Sequence, residues 1–329
     1  MIVDSALYRR GARASGGTTP AELGALRKQA VETGDFVWVG LHEPTAEELA
    51  DVASVFGLHR LAVEDALKAH QRPKLERYGD SLFLVLKSLW YVDADDAVET
   101  GEVNIFLGAD LVITVRHGQG GSLAQIRARL EQHPELLAHG PTAVTHAICD
   151  HAVDDYQLVV TALQEDVDEV EASVFSVERT DDSPRIYVLK REIAEVRRAV
   201  LPLRDPMHRA AAGTVPGIAE AAAPFFRDIA DHLVRVADSV EELDGLFSAQ
   251  QTRGLRRRPG RRFCGPTPCR NNHQFGGTTA SSAGTRSTAP LKAPVIIRNC
   301  ERPASGSGAG STPIPSPDAN PRERPVIGE

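Results

Sequence analysis

The chain has 329 residues, of which 42% are apolar and 25% are charged, so it can bury a core and is not disordered throughout. No window approaches the roughly 18 consecutive apolar residues that span a bilayer, and residues 1–10 lack the apolar core of a secretory signal. The formal net charge of −8 divides into +9 in residues 251–329 and −17 in residues 1–250. A cytoplasmic start and a chemically distinct C-terminal part are therefore predicted.

The first 140 residues alternate between strand-like and helix-like patterns. Residues 36–41 form an apolar run that is typical of a buried strand. Thr45 and Glu48 have the spacing of a capping box that begins a helix, and Gly57 would end that helix. A second helix is predicted over residues 59–69, before a proline that disfavours further helix.

The rest of this region predicts a small sheet. Residues 82–91 form a long buried strand, and residues 103–107 and 111–115 form a hairpin around a glycine turn. Ser122 and Gln125 then have the spacing of a second capping box, which would begin a short helix. Strands with helices against them indicate an α/β or α+β module.

After residue 140 the apolar residues recur with a helical period. Nine of them predict one helix of about 33 residues, roughly 50 Å long: Val144, Ile148, Ala152, Tyr156, Val159, Leu163, Val167, Val170 and Val174. Its other faces carry eight acids: Asp150, Asp154, Asp155, Glu165, Asp166, Asp168, Glu169 and Glu171. These acids are consistent either with a field that attracts cations or with a solvated helix face.

Two further helices follow. One begins with Ser183 as N-cap and Pro184 at the first helical position, and ends near Pro202. The other begins near Pro224 and has a heptad-like stripe, which needs a partner along its whole length: Phe226, Ile229, Leu233, Val236, Val240, Leu243 and Phe247. We expect this helix to stop near Arg253.

Residues 251–329 have the composition of a disordered tail, because they include 10 Gly and 11 Pro. Three cysteines and a histidine loosely resemble a zinc knuckle, but their spacing is irregular: Cys264, Cys269, His273 and Cys300. The basic run over residues 253–262 lacks the interleaved aromatic residues that stack on bases, so no nucleic-acid partner is predicted.

Six segments, in chain order, carry a resemblance to a known family: Leu41-His42-Glu43-Pro44-Thr45, Ala62-Val63-Glu64-Asp65-Ala66-Leu67, His70-Gln71-Arg72-Pro73-Lys74-Leu75-Glu76, Leu84-Val85-Leu86-Lys87, Thr114-Val115-Arg116-His117-Gly118, and Phe226-Arg227-Asp228 with Asp231-His232. Over about residues 30–248 the chain resembles the cytosolic part of CorA-type magnesium and cobalt transporters. The resemblance implies an α/β/α cytosolic sandwich in residues 1–140. It then implies long antiparallel acidic helices and the start of a stalk helix in residues 141–250.

The resemblance also implies partners and a location. The family forms pentameric ion channels in the cell membrane, and their cytosolic domains lie on its cytoplasmic face. These domains sense Mg2+ as a regulatory ion, and the channels pass Mg2+ and Co2+ without covalent chemistry. Its two membrane spans carry a Gly-Met-Asn loop, whereas neither Met1 nor Met207 of this chain precedes Asn. We therefore hypothesise that a reading-frame change near residues 248–253 replaced the pore, which would leave a non-conducting, cytoplasmic chain.

The family's regulatory metal site implies two candidate ligands here. Asp93 and Asp244 lie nearest its two acidic positions, which Val92 and Gly245 occupy in this chain. Hydrated Mg2+ prefers one or two carboxylates, so two acids from neighbouring subunits would suit it. The alternative is that both are solvated surface acids.

Other functions remain as alternatives. The zinc-transporting branch of the same superfamily shares the architecture, and a soluble coiled-coil interaction module would need no metal. Glu64 and Asp65 could serve as acid and base, but ion pairs with Lys68 or Lys74 explain them more simply. Because no nucleophile elbow or phosphate-binding glycine loop occurs, the chain is not predicted to be an enzyme.

Overall fold

The computed structural model describes residues 1–94, 96–120, 123–174, 176 and 182–256, and for residues 247–256 it describes the backbone alone. These residues lie within one compact unit, Met1–Arg262. The predicted domain division at residue 140 stays a prediction. The disorder predicted for residues 257–329 and the knuckle-like cysteines lie outside the described residues.

The centre of the fold is a seven-stranded sheet in the order β2-β1-β3-β7-β6-β5-β4. Its strands are β1 Ile2–Arg9, β2 Ala12–Ser15, β3 Phe36–His42, β4 Lys74–Tyr78, β5 Ser81–Val92, β6 Ala97–Leu107 and β7 Leu111–His117. β3 and β7 pair in parallel, and the other pairs are antiparallel. The predicted strand at 82–91 and the hairpin are confirmed. The sequence missed β1 and the two edge strands, which are short and lack a continuous apolar run.

Among the described residues, three helices cover one face of the sheet: α1 Pro20–Thr33, α2 Ala46–Phe56 and α3 Arg60–Lys68. The capping box of Thr45 and Glu48 is confirmed, and Gly57 ends α2 in the left-handed conformation at φ 64°. α1 begins with a capping box of the same kind, from Thr19 and Glu22, which the sequence analysis missed.

In the described part of the chain, six helices cover the other face: α4 Leu123–Glu131, α5 Pro134–Leu137, α6 Pro141–Val174, α7 Ser183–Val200, α8 Arg204–Ala211 and α9 Ala223–Arg256. The predicted α/β/α sandwich followed by long helices is confirmed. α6 lies against β5, and its apolar stripe is buried from Val144 to Val170, whereas Val174 is exposed. Ser122 of the predicted second capping box lies outside the described residues.

Three details of the helical region differ from the predictions. The N-cap of α7 is Asp182, and Ser183 is the first helical residue. α8, which was not predicted, follows α7 after one 3-10 turn. α9 does not stop near Arg253 but runs to Arg256, because arginine is a good helix former and one glycine costs only about 1 kcal/mol. The backbone of residues 251–256 is helical, and the disorder predicted for residues 251–329 stays a prediction.

The heptad-like stripe of α9 finds its partner within the chain. Six of its seven residues are at most 1% exposed: Phe226, Ile229, Leu233, Val236, Val240 and Leu243. They belong to the core that α9 shares with α6, α7 and α8. The side chain of Phe247 lies outside the described residues. Three neighbouring helices of the same chain therefore supply the partner that the stripe needs.

One partly buried histidine on α6 should make stability depend on pH. The ring of His146 lies 5.7 Å from Phe225 and 5.6 Å from Phe226 on α9, measured between centroids. Burial lowers the pKa of His146 below 6.5. The unfolded chain therefore binds a proton at His146 more readily than the folded chain does. The stability that is fully present above about pH 6.5 is lost as the pH falls through the lowered pKa.

Between about pH 7.5 and about pH 5.5, we expect the Tm of the unmodified chain to fall further than the Tm of the variant His146→Gln. Differential scanning fluorimetry in matched buffers measures this. His139→Gln, which changes an exposed imidazole, is the control and should behave like the unmodified chain. Equal pH sensitivity of the chain and His146→Gln would contradict the assignment.

Candidate metal-responsive site

Acidic side chains converge at the turn between β5 and β6. Asp93 and Asp96 lie in this turn, and Asp96 has a left-handed backbone at φ 47°. Tyr91, at the end of β5, donates a hydrogen bond to Oδ2 of Asp166 on α6. The pKa of the Tyr91 hydroxyl is raised, mainly by burial and next by the hydrogen bond to the Asp166 carboxylate. The hydroxyl therefore stays protonated and can donate. The turn is thereby connected to the acidic side of α6.

The guanidinium of Arg185, on α7, lies among these carboxylates. Its Nε is 3.1 Å from Asp96 Oδ2, and its Nη2 is 2.9 Å from both Asp166 Oδ1 and Glu169 Oε2. The hydrogen bond to Glu169 is the main cause of a raised pKa for Arg185. We call Asp93, Asp96, Asp166, Glu169 and Arg185 the acidic cluster.

The acidic cluster has the donor chemistry of a magnesium-binding region but not a closed metal cage. Three carboxylates pair with one guanidinium, and Asp93 lies in the same turn as Asp96, so the cluster carries a net negative charge. Carboxylate oxygens suit Mg2+, which keeps several waters and takes one or two protein ligands. Within the described part of the chain, no three His, Cys, Asp or Glu residues are arranged to hold a metal ion. The cluster therefore fits a hydrated cation at its edge better than a dehydrated one inside it.

The structure places Asp93 and Asp244 in different surroundings. Asp93 is exposed in the β5–β6 turn, whereas Asp244 Oδ2 on α9 is 3.1 Å from Arg197 Nη1 on α7. Arg185 of the acidic cluster and Arg197 are 12 residues apart on α7, which corresponds to roughly 18 Å along the helix. The length of α7 thus separates the surroundings of Asp244 from the acidic cluster within one chain.

Most other sequence candidates have structural roles. Lys68 Nζ lies 2.6 Å from Glu64, and Lys74 Nζ lies 2.7 Å from Asp65, so these acids are paired with cations as predicted. Cys149 is buried, as expected of a core residue, and burial raises the pKa of its thiol to about 12. These groups offer no catalytic pair.

Sequence reasoning placed Asp166 and Glu169 only on a general acidic face and missed their partner Arg185. One signal was available, because Asp166 lies three residues after Leu163 and so borders the buried stripe of α6. Its side chain is only 11% exposed. An acid at the border of an apolar stripe requires a partner. The partner's identity could not be read from the sequence, since α7 is a separate helix.

Among the described residues, no helix is both long enough and apolar enough to cross a bilayer.

Two curated relatives are metal transporters by name. YfjQ of Bacillus subtilis strain 168, which carries the name of a metal ion transporter, is 30% identical over 204 residues, covering 62% of this chain and 63% of that protein. The cobalt/magnesium transport protein CorA of Thermotoga maritima is 28% identical over 210 residues, covering 64% of this chain and 59% of that protein. The chain thus spans about 60% of the length of these relatives.

Solved structures share the fold. The soluble domain of CorA from Methanocaldococcus jannaschii has a TM-score of 0.62 at 13% identity, covering 77% of this chain and 97% of that one. The full-length CmaX protein has a TM-score of 0.63 at 21% identity, with coverages of 78% and 77%. The cytoplasmic domain of ZntB from Vibrio parahaemolyticus has a TM-score of 0.57 at 12% identity, with coverages of 78% and 98%.

The family model described as CorA-like Mg2+ transporter protein matches residues 33–251, which is most of the chain. This range runs from the end of α1 to near the end of α9 and includes every residue of the acidic cluster. The family is one of ion transporters rather than enzymes. On this match and on the shared sandwich fold, the chain belongs to the CorA-like Mg2+ transporter family.

Proposed function

We propose that the chain is the metal-sensing part of a divalent-cation transporter for Mg2+ and Co2+. The family match over residues 33–251 carries this proposal. The cobalt/magnesium transport protein of Thermotoga maritima supports the choice of these two ions. The negative acidic cluster supports sensing, since excess carboxylates at a surface attract hydrated dications.

The proposed sensor uses Mg2+ as a regulatory ion bound between subunits. Asp93 of one subunit and Asp244 of its neighbour would each supply one carboxylate, with water completing the shell. Asp93 is exposed and joins the net negative charge of the acidic cluster. Asp244 lies at the surface of α9, with a side chain that is 34% exposed. To bind Mg2+, the Asp244 carboxylate would then have to contact both the ion and Arg197, or give up its ion pair with Arg197.

A site between subunits implies a homo-oligomer, and we propose the pentamer expected for the family. We place this part of the protein on the cytoplasmic face of the cell membrane. Its connection to the membrane would be through α9 as the stalk helix. The apolar stripe of α9 is covered within its own chain, so contacts between subunits would use the polar faces of the helices.

Two alternatives differ in strength. The likeness to the ZntB cytoplasmic domain supports a shared fold and leaves Zn2+ as a second candidate ion. A metal-independent coiled-coil module has less support, because the stripe that suggested it is buried against α6, α7 and α8.

We expect millimolar Mg2+ to slow limited proteolysis of the full chain and to raise its oligomeric mass relative to the same sample in EDTA. The reason is that a cation shared by Asp93 and Asp244 joins two chains and orders the surfaces between them. Time courses on gels and native mass spectrometry measure the two effects. Co2+ should act like Mg2+.

The variants Asp93→Asn and Asp244→Asn should each need several times more Mg2+ for the same protection. Asp80→Asn is the matched control, because it removes one exposed carboxylate in the β4–β5 turn. Indifference of the unmodified chain to Mg2+ and Co2+ would contradict the proposal. A response to Zn2+ alone would favour the zinc alternative.

A further inference from the structure

β3 and β7 form a topological switch point in the sheet. They are the one parallel pair among the described strands. The chain leaves β3 for α2 on one face, and it leaves β7 for α4 on the opposite face. In α/β sheets this divergence opens a crevice at the carboxyl ends of the two strands, where ligands commonly bind. Here these ends are His42 and His117.

A cavity of about 290 Å³ lies at this point. Its floor includes Trp38, Gly40 and Thr114 of the two strands, and its wall includes Ala124 and Ala128 of α4. Gly40 has no side chain, and Ala124 and Ala128 carry small ones, which leaves space between β3 and α4. We call it the switch-point cavity.

Gly40 keeps the switch-point cavity open. A Cβ at this position would lie 3.6 Å from the Asp4 carbonyl and 3.7 Å from both Arg127 Nη2 and Thr114 Oγ1, which are ordinary contacts. One carbon therefore fits, while a larger side chain would extend into the cavity. This position offers a means of filling the cavity with little change to the strand.

A buried guanidinium lines the cavity. Arg127 is 8% exposed, lies 4.0 Å over the ring of Trp38, and is 3.1 Å from Asp4 Oδ2. Its Nη1 also lies 3.3 Å from the hydroxyl of Tyr8. These contacts offset the cost of burying a charged group and hold Arg127 in place.

Positive charge is in excess in the switch-point cavity. Arg13, Arg116 and Arg127 line it against two carboxylates, Asp4 and Glu131. Asp4 bonds to both Arg13 and Arg127, and Glu131 bonds to Arg13. Among the described residues, Arg116 bonds through Nη1 to the Gln119 carbonyl at 3.3 Å and has no carboxylate partner in the cavity.

The first residues of α4, Leu123 and Ala124, also line the cavity. The beginning of a helix presents backbone N–H groups that have no partner within the helix, and it carries partial positive charge. Together with the arginine excess and the fixed guanidinium, this arrangement favours an anion with several acceptor oxygens.

We propose that the switch-point cavity binds a small phosphoryl-bearing anion, with Arg116 as the cation that contacts it and Arg127 as the fixed positive charge behind it. This site is separate from the acidic cluster and does not depend on the proposed metal response. Its size suits a phosphorylated small molecule rather than a polymer.

The test titrates inorganic pyrophosphate, AMP and citrate into the full chain by calorimetry, in EDTA so that no metal contributes. We expect saturable binding of pyrophosphate or AMP and a rise in Tm with either. Arg116→Gln should weaken binding about ten- to a hundredfold, the range expected for one lost charged hydrogen bond. Gly40→Val should also weaken it, because the branched side chain extends into the cavity beside Arg127.

Arg60→Gln is the control, since it removes an exposed arginine of α3 on the opposite face of the sheet. It should bind pyrophosphate as the unmodified chain does. Absence of binding of both phosphoryl probes at about 10 mM would overturn the proposal, because the expected charged contacts give millimolar affinity or better. Unchanged binding by Arg116→Gln, or citrate binding as tight as pyrophosphate, would also overturn it.

Discussion

Replacing Lys87 with methionine should destabilise the fold by about 3–5 kcal/mol, because it leaves a buried carboxylate without its cation. Lys87 on β5 and Glu102 on β6 are directly opposed in the sheet. Lys87 Nζ lies 2.9 Å from Glu102 Oε2, and the Glu102 side chain is 2% exposed. Urea denaturation followed by circular dichroism measures the free energy of unfolding.

Glu102 also accepts hydrogen bonds from two neutral donors. Its carboxylate accepts hydrogen bonds from the backbone N–H of Gln71 at 2.7 Å and from the side-chain amide of Asn104 at 3.0 Å. These two neutral donors remain in Lys87→Met, but they do not compensate a full buried charge. Oδ1 of Asn104 has no hydrogen-bond partner among the described residues.

A second variant separates charge from packing. Lys87→Met combined with Glu102→Gln removes both charges and provides an amide that can donate to Asn104 Oδ1, so it should recover more than half of the lost stability. Lys68→Met breaks the exposed pair with Glu64 and should change stability little. The interpretation fails if Lys87→Met costs no more than Lys68→Met.

Leu233→Ala in α9 should cost about 2–5 kcal/mol of the free energy of unfolding. Leu233 is fully buried in the core that α9 shares with α6, α7 and α8. Its removal leaves a cavity that well-packed neighbours fill only in part. The adjacent Val234 is 40% exposed, so Val234→Ala is the matched control and should cost much less.

The same pair of variants tests the coiled-coil alternative. Because the partners of Leu233 belong to its own chain, the loss should be equal at low and high protein concentration. Unfolding curves at about 1 µM and about 100 µM, compared in EDTA, measure this. A loss that shrinks with increasing concentration would instead indicate that a second chain completes the core.

Several local features were predictable because short-range chemistry decides them. The capping box at Thr45 and Glu48 and the left-handed Gly57 need only neighbouring residues. The apolar stripes of α6 and α9 follow from the helical period, so their buried faces were predicted almost residue by residue. The two polar edge strands were missed, because backbone pairing with a neighbour makes them strands, not an apolar pattern.

The candidate sites were harder to predict for a related reason. The acids of α6 were visible in the sequence, but their pairing with Arg185 depends on how α7 packs against the β5–β6 turn. Asp93 and Asp244 are likewise placed far apart by the length of α7. No pattern in the sequence indicated the switch-point cavity, because its residues come from β1, β2, β3, β7 and α4.

The sequence by itself determined most of the helices, most of the inner strands, the excess of acidic residues and, through its motifs, the family. These depend on hydrophobic period, capping and residue order, which are local along the chain. Only the tertiary structure decided which helices cover the stripe of α9, which cation faces each buried acid and where a glycine leaves a cavity. Such features arise where segments distant in sequence meet, and burial there makes each pairing energetically decisive.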